Sequence, residues 1–429
     1  MEILIVGGGG REHALAWQCA RSAEVEKVYV APGNAGTAGE TGVHNVAIDA
    51  DDIDGLLEFA KDRQVSLTIV GPEAPLVAGI TDRFGEAGLK CFGPGAAAAQ
   101  LEGSKAFTKE FLERHHIPTA AYASFSEITP AIEYIRRQGA PLVVKADGLA
   151  AGKGVIVAAT VEEAEQAARS MLAEGAFGAA GARVVVEQCL RGEEASFIAI
   201  VSGTTILPLA TSQDHKARDD GDLGPNTGGM GAYSPAPVVT PDIHRRIMDE
   251  VMRPTVEGLA AEGIPYVGFL YAGLMIADDG TPNVLEFNCR FGDPETQPIL
   301  MRLESDLAAL CLSALDDSLG QQQVDWNRKP AVGVVLAAGG YPGSYRKGDR
   351  IHGLEAFAGQ DGVKVFHAGT AIDDAGQIVT AGGRVLCAVA LGRNVTEAQR
   401  RAYEVVHGIR WDGVCYRNDI GYRAVAREN

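Results

Sequence analysis

A multidomain chain mixing α/β and α+β units is predicted: a doubly wound parallel sheet at the N-terminus, a mixed central region, and a C-terminal mixed α/β domain. Three observations support it. The chain has 429 residues, enough for about three domains at roughly 150 residues each. Strand and helix periods alternate over the first hundred residues, the rhythm of a parallel sheet covered on both faces. A polar stretch at 321–330 ends in proline and reads as a boundary. The divisions expected are 1–103, 104–325 and 326–429.

In the first unit, residues 2–6 are an apolar strand, and 11–21 a helix with Ala14, Trp17, Cys19 and Ala20 toward a core. Strands follow at 27–30, 45–48 and 67–70, with helices at 53–63 and 80–87. Such sheets bind ligands in the loops at the carboxyl ends of their strands. Those loops are Gly7 to Glu12, Pro32-Gly33-Asn34 and Gly71-Pro72-Glu73. The central region predicts helices at 105–115, 161–173 and 241–261, the second opened by a Thr160/Glu163 capping box. Its strands are expected at 142–145, 155–158, 184–187, 196–201, 207–211, 268–276 and 283–288. Strands at 331–337 and 384–391 and a helix at 395–406 complete the chain.

Composition narrows the partners. Lys+Arg 38 against Asp+Glu 56 leaves a net charge of −18. No basic cluster stands out, so nucleic acid, whose binding depends on neutralising phosphates, is not expected as a partner. Small phosphorylated ligands need only a local group of donors. No apolar run approaches the ~20 residues of a membrane helix. The opening residues read as a strand entering a glycine turn with no basic region ahead, so neither a membrane partner nor a secretory signal is expected. Seven scattered cysteines without a Cys-x-x-Cys pair argue against a disulfide framework or zinc site and suit the cytoplasm. Glycine is the outlier: 53 residues, about 12% against a usual ~7%.

The first glycine cluster fails as a dinucleotide fingerprint. From Gly7 the frame runs Gly7, Gly9, Glu12; from Gly8 it runs Gly8, Gly10, His13. The third glycine is missing in both, and no acidic residue follows the second strand, which argues against a nicotinamide cofactor and its dehydrogenases. The turn still aims N–H donors at a phosphate. A second glycine loop, Asp147 to Gly154, lies between two strands and is not a Walker A loop. Carrying Gly152, Lys153 and Gly154, it can fold over nucleotide phosphates, and Lys145 enters the same pocket from the strand before it.

Glu286 and Asn288 are the sharpest pair. Residues i and i+2 share a strand face, so their oxygens converge while Leu285 and Phe287 point to a core. Two oxygen ligands plus phosphates and water suit Mg²⁺. Arg290 continues that face and can stabilise a transferring phosphoryl group. Asp293 is expected as a helix N-cap with Pro294 at N1. Between 213 and 235 lie some twenty residues of little apolar periodicity, a pattern that in a compact domain is usually functional. Its Asp214, Lys216, Asn226 and Thr227 suit a small zwitterion and a sugar.

Gly8-Gly9-Gly10-Arg11-Glu12-His13-Ala14, Pro32-Gly33-Asn34, Gly71-Pro72-Glu73, the 213–235 segment and Arg290-Phe291-Gly292-Asp293-Pro294-Glu295 together resemble the glycinamide ribonucleotide synthetase (phosphoribosylamine–glycine ligase) family of ATP-grasp ligases, over essentially the whole chain. The resemblance implies a central ATP-grasp pair with a flap subdomain near 119–192, and a C-terminal domain closing the site. It implies ATP with Mg²⁺ or Mn²⁺, and glycine and 5-phosphoribosylamine as substrates; a monomer is compatible with it. Lys105 and Lys145 resemble the two lysines that meet nucleotide phosphates. Glu187 and Leu190 resemble the adenine hinge, and Glu194, with Glu193 as competitor, the ribose carboxylate. Glu286 and Asn288 match the metal pair. Many ATP-grasp enzymes add a carboxylate from the preceding strand, but here it reads Ala272-Gly273-Leu274-Met275-Ile276, so two protein ligands are expected.

Gly10, Arg11, Glu12, Asn34 and Glu73, all on the N-terminal sheet's loops, are expected to serve the phosphoribosyl group rather than ATP. Arg290 is expected at the glycine carboxylate. Asp214, or failing it Asp293, is expected at the glycine ammonium.

Overall fold

The computed structural model describes residues 1–149, 154–173 and 182–428. Its first sheet is wholly parallel, in the order Val43–Asn45, Lys27–Pro32, Glu2–Gly7, Leu67–Val70, Cys91–Phe92. The strand order runs outward from Glu2–Gly7 in both directions, so the connections leaving the first and fourth strands part at the carboxyl ends of those strands and open a crevice there. The edge strand falls at Val43–Asn45, two residues earlier than the alternation suggested. The side chain of Asn45 is the reason: it donates to the Asn34 carbonyl (2.8 Å) and accepts from Thr37 Oγ1 (2.7 Å), which ends the pairing.

The central region contains two antiparallel sheets. One runs Thr205–Pro208, Glu193–Ser202, Val267–Ile276, Pro282–Asn288. The other, the flap, runs Tyr122–Phe125, Val184–Gln188, Leu142–Ala146, Val155–Ala158. The helix expected over 241–261 is two α-helices, Pro241–Ile247 and Arg253–Ala261, joined through a π turn at Met248–Met252. Pro254 cannot donate to the carbonyl one turn back, and the wider turn absorbs that break.

The 213–235 segment is not irregular. Gln213–Asp214 and Gly231–Ser234 join Ala331–Ala337, Arg384–Leu391 and Val363–His367 in one antiparallel sheet, and Ala217–Asp219 with Leu223–Asn226 forms a hairpin. Glycine permits the close approach: a Cβ on Gly231 would lie 2.6 Å from the Gly333 carbonyl oxygen. The central segment and the C-terminal sheet are thus one body.

Packing extends that unity. A single apolar core takes Ile3 and Ile5 from the first sheet, Ile198 and Ile200 from the central one, the Leu307–Leu315 helix, and Val335 and Val389 from the last. The flap differs. Its buried residues, among them Ile135, Val144, Ala164, Met171 and Val186, form a core of their own.

Candidate active site

The strand Pro282–Asn288 is the spine of the site. A β-bulge at Gly273/Leu274 sets Gly273 opposite Glu286 and Leu274 opposite Val284, leaving Leu285 as the extra residue. The expectation that Leu285 faces the core therefore fails. Val284 and Phe287 are buried there, while Leu285 is half-buried and its carbonyl accepts from Lys145 Nζ at 3.0 Å. Bulges often re-aim residues beside active sites in this way.

Glu286 gathers cations. Burial alone would raise its pKa, but Lys216, Lys145, Lys105 and Arg290 together hold it down at about 2. Lys216 spans Glu194 (3.1 Å) and Glu286 (3.5 Å). Lys105 Nζ donates to the Gly148 carbonyl at 2.9 Å, beside the glycine loop; burial lowers its pKa against the pull of Glu286. Gly152 and Lys153 lie outside the described residues. Gly154 is within them, and its carbonyl accepts from the Ala146 N–H at 2.8 Å. Asn288 is buried two residues beyond Glu286. An ionised carboxylate and an amide oxygen suit a hard divalent cation, but no cluster of three or more His, Cys, Asp or Glu completes a cage among the described residues. The donor set fits such a cation only with phosphate oxygens beside it.

Glu187, at 2% exposure, lies between two ammonium groups, Lys109 at 2.9 Å and Lys145 at 3.0 Å. Leu190 follows at the end of that strand, half-buried. The two neighbouring glutamates part ways. Glu193 is occupied by Gln213 Nε2 and Arg427, both at 2.7 Å, whereas Glu194 turns to Lys216. Asp214, on the first strand of the substrate segment, has its pKa raised to about 8 by burial, against the pull of Lys216 and with a further push from Glu295, Glu194 and Glu286. Thr227 is buried with its hydroxyl on the Lys216 carbonyl (2.9 Å), and Asn226 is exposed on the hairpin.

The N-terminal loops meet the end of the spine. Arg290 pairs with Glu102 (2.9 Å) and Glu73 (3.3 Å), and Arg11 donates to the Phe291 carbonyl at 3.3 Å. Glu12 binds Arg11 Nε and the Gly9 N–H, each at 2.6 Å, at the start of the helix that opens with Gly10. Asn34 is fully engaged: its amide donates to the Gly8 and His367 carbonyls, both at 2.9 Å, and its oxygen accepts from the Gly36 and Thr37 N–H groups. Asp293 is not an N-cap. The helix starts later, at Thr296, because the Asp293 carboxylate is taken by Arg384 (3.0 Å) and Gln297 (2.8 Å).

Sequence reasoning passed over Lys109, Glu102 and Arg384. Lys109 carried a signal, since it lies one helical turn from Lys105, on a helix that buries Phe111 and Leu112. Glu102, whose pKa burial raises to about 7 against the pull of Arg290, and Arg384 carried none, because their partners are remote in the chain.

Models of the three phosphoribosylglycinamide synthetase domains match the chain: the N domain over 1–102, the ATP-grasp (A) domain over 103–296, and the C domain over 331–423. A phosphoribosylamine–glycine ligase of Allochromatium vinosum is 67% identical over 429 residues, the whole of both chains. One of Vibrio parahaemolyticus is 66% identical over 428 residues, covering 100% of this chain and 99% of its own. The crystal structure of the Thermotoga maritima phosphoribosylamine–glycine ligase superposes with a TM-score of 0.84 at 34% identity, over 98% of this chain and 100% of that one.

Proposed function

The chain belongs to the phosphoribosylglycinamide synthetase family and is an ATP-dependent ligase of purine biosynthesis, and from that premise we propose that it joins glycine to 5-phosphoribosylamine through glycyl phosphate. A carboxylate resists attack by an amine until one of its oxygens becomes a leaving group. A glycine carboxylate oxygen attacks the γ-phosphorus of ATP, the bond to the bridging oxygen breaks, and ADP departs. The amine nitrogen of phosphoribosylamine then attacks the acyl carbon. Phosphate leaves with the oxygen and the amine gives up its proton.

One observation carries the reading: in a chain of net charge −18, three lysines and an arginine converge on a single carboxylate, Glu286. Such a surplus of cations suits a polyphosphate. Lys105, Lys145 and the Gly152–Lys153–Gly154 loop would hold the phosphates. Glu286 and Asn288 would hold Mg²⁺ or Mn²⁺, which supplies charge neutralisation on the phosphate oxygens. Glu187 Oε1 has no hydrogen-bond donor among the described residues and would receive the exocyclic amine of adenine, with the Leu190 backbone beside it. Glu194 rather than Glu193 would meet the ribose, since Glu193 is already occupied.

The same reasoning supports Asp214 for the glycine ammonium, because Asp293 is committed to Arg384. Arg290 would meet the glycine carboxylate and then the charge of the transferring group. Gly10, Arg11, Glu12 and Glu73 would bind the phosphoribosyl group, Asn34, whose side chain is held by Gly8 and His367, would shape the loop beside it, and Lys216, Asn226 and Thr227 would line the substrate side. No helix among the described residues is long and apolar enough to cross a membrane.

The test is ADP release with glycine, dependent on phosphoribosylamine formed in situ from ribose 5-phosphate and ammonia. With hydroxylamine in place of that amine, glycine hydroxamate should accumulate with ADP. ADP formation without any hydroxamate would remove the acyl phosphate. Arg11→Ala should raise KM for phosphoribosylamine and leave that for ATP nearly unchanged.

A further inference from the structure

We infer that Lys109 is a positioning residue for ATP, holding the charge of Glu187 so that Lys145 is free to leave it for the nucleotide phosphates. The inference rests on the reading that Lys145 serves those phosphates. The geometry behind it is two ammonium groups on one buried carboxylate. Lys109 Nζ, at 3% exposure, stands 2.9 Å from Glu187 Oε2 and donates to Thr119 Oγ1 at 2.7 Å. Thr119 Oγ1 in turn donates to the Val284 carbonyl at 2.7 Å. Lys109 is therefore anchored to both the flap strand and the spine of the site. Lys145 is held differently. It lies 3.0 Å from Glu187 Oε1 out of line for a hydrogen bond, and donates to the Leu285 carbonyl.

An ionised carboxylate at 2% exposure needs a cation beside it. If Lys145 were the only one, moving it to a phosphate would strand Glu187, and Glu187 would hold it back. With Lys109 in place Lys145 is surplus, and the exchange leaves no buried charge unpaired. The requirement concerns the phosphate tail, not the base.

The experiment is calorimetric binding of ATP and AMP, with Mg²⁺, to the full chain carrying Lys109→Met, Lys109→Arg or Lys145→Met. Lys109→Met should weaken ATP at least tenfold and change AMP less than twofold, while Lys109→Arg, which keeps the charge, recovers most of the ATP affinity. Equal losses for ATP and AMP, or no loss, would overturn the inference. Lys145→Met tests the premise separately: an unchanged preference for ATP over AMP there would remove Lys145 from the phosphates. Should Lys109→Met fail to fold, Lys109→Met with Glu187→Gln decides in its place. Without the buried anion, its ATP-to-AMP ratio should equal that of Glu187→Gln alone, and a further tenfold loss would sink the proposal.

Discussion

Glu286 is drawn on by Lys105, Lys145, Lys216 and Arg290 together, so its removal should be felt in chemistry more than in folding. Glu286→Gln and Asn288→Ala change oxygen donors at a strand end and little core volume. Each should lower kcat about 100-fold, the scale for losing one preorganised electrostatic partner, with the thermal midpoint shifted by a few degrees at most. Unaltered kcat and Mg²⁺ dependence would remove the metal assignment. Asp214 sets a pH dependence. Burial and neighbouring carboxylates push its pKa up to about 8, yet it must be ionised to receive an ammonium. The kcat/KM for glycine should therefore rise about tenfold per pH unit below 8 and level above it. Asp214→Asn should flatten that rise and cost about 2–4 kcal/mol of transition-state binding. If Asp293→Asn does this instead, the ammonium belongs to Asp293.

At the scale of elements, the turn between the first strand and its helix works as one piece with the loop after the fourth strand. Glu12 fills the gap between them, and a Cβ on Gly71 would stand 2.0 Å from Glu12 Oε1 and 2.6 Å from its Cγ. Gly71→Ala should force Glu12 out, freeing the Gly9 N–H and Arg11 Nε it now binds. The cost should be about 1–3 kcal/mol of stability, as for buried polar groups left unpaired, with KM for phosphoribosylamine raised and ATP binding unchanged. Normal kinetics in this variant would separate the glycine turn from substrate. The flap keeps its own core and meets the spine through polar contacts, among them Lys145 Nζ on the Leu285 carbonyl.

Across the whole molecule, the first and third domains share an apolar core and, beside it, a polar seam. Asn34 joins the Gly8 and His367 carbonyls, and His13 Nδ1 accepts from the His367 N–H at 2.8 Å while its Nε2 faces Glu40 at 3.0 Å. Asn34→Ala should cost about 1–3 kcal/mol for each acceptor left dry. Burial, reinforced by His13 and Lys364, lowers the His367 pKa to about 3, and burial lowers that of His13 as well. Burial would raise Glu40, but His13 and Lys364 outweigh it and hold it at about 2. All three groups bind protons more readily in the unfolded chain. Stability is therefore complete above about pH 6.5 and falls as the histidines are forced to charge, then falls further below about 4.5 with Glu40. Denaturant midpoints from pH 7.5 to 4.5 should show this decline, and His367→Gln should make it shallower. An unchanged slope would place the acid-sensitive groups elsewhere.

Local sequence suffices for the strand–helix alternation of the first domain, the flap hairpin, the placing of Glu286 and Asn288 at one strand end, and the family. These depend on short-range periods, turn residues and motif spacing, which the chain carries locally. Long-range packing supplies what the local pattern does not hold. The 213–235 segment lacks alternation of its own because its strands are two to four residues long and reach the large sheet only through Gly231–Ser234, which pairs with Ala331–Ala337. Asp293 reads as a helix cap until Arg384, 91 residues away, claims it. Leu285 reads as a core residue until the bulge, set by pairing with a different strand, turns it to the site. Lys109 carries no role in the local pattern, and only folding buries it against Glu187, 78 residues away. In each case burial leaves a charge or backbone group able to be satisfied only by a partner distant in the chain, and the sequence does not record which groups arrive together.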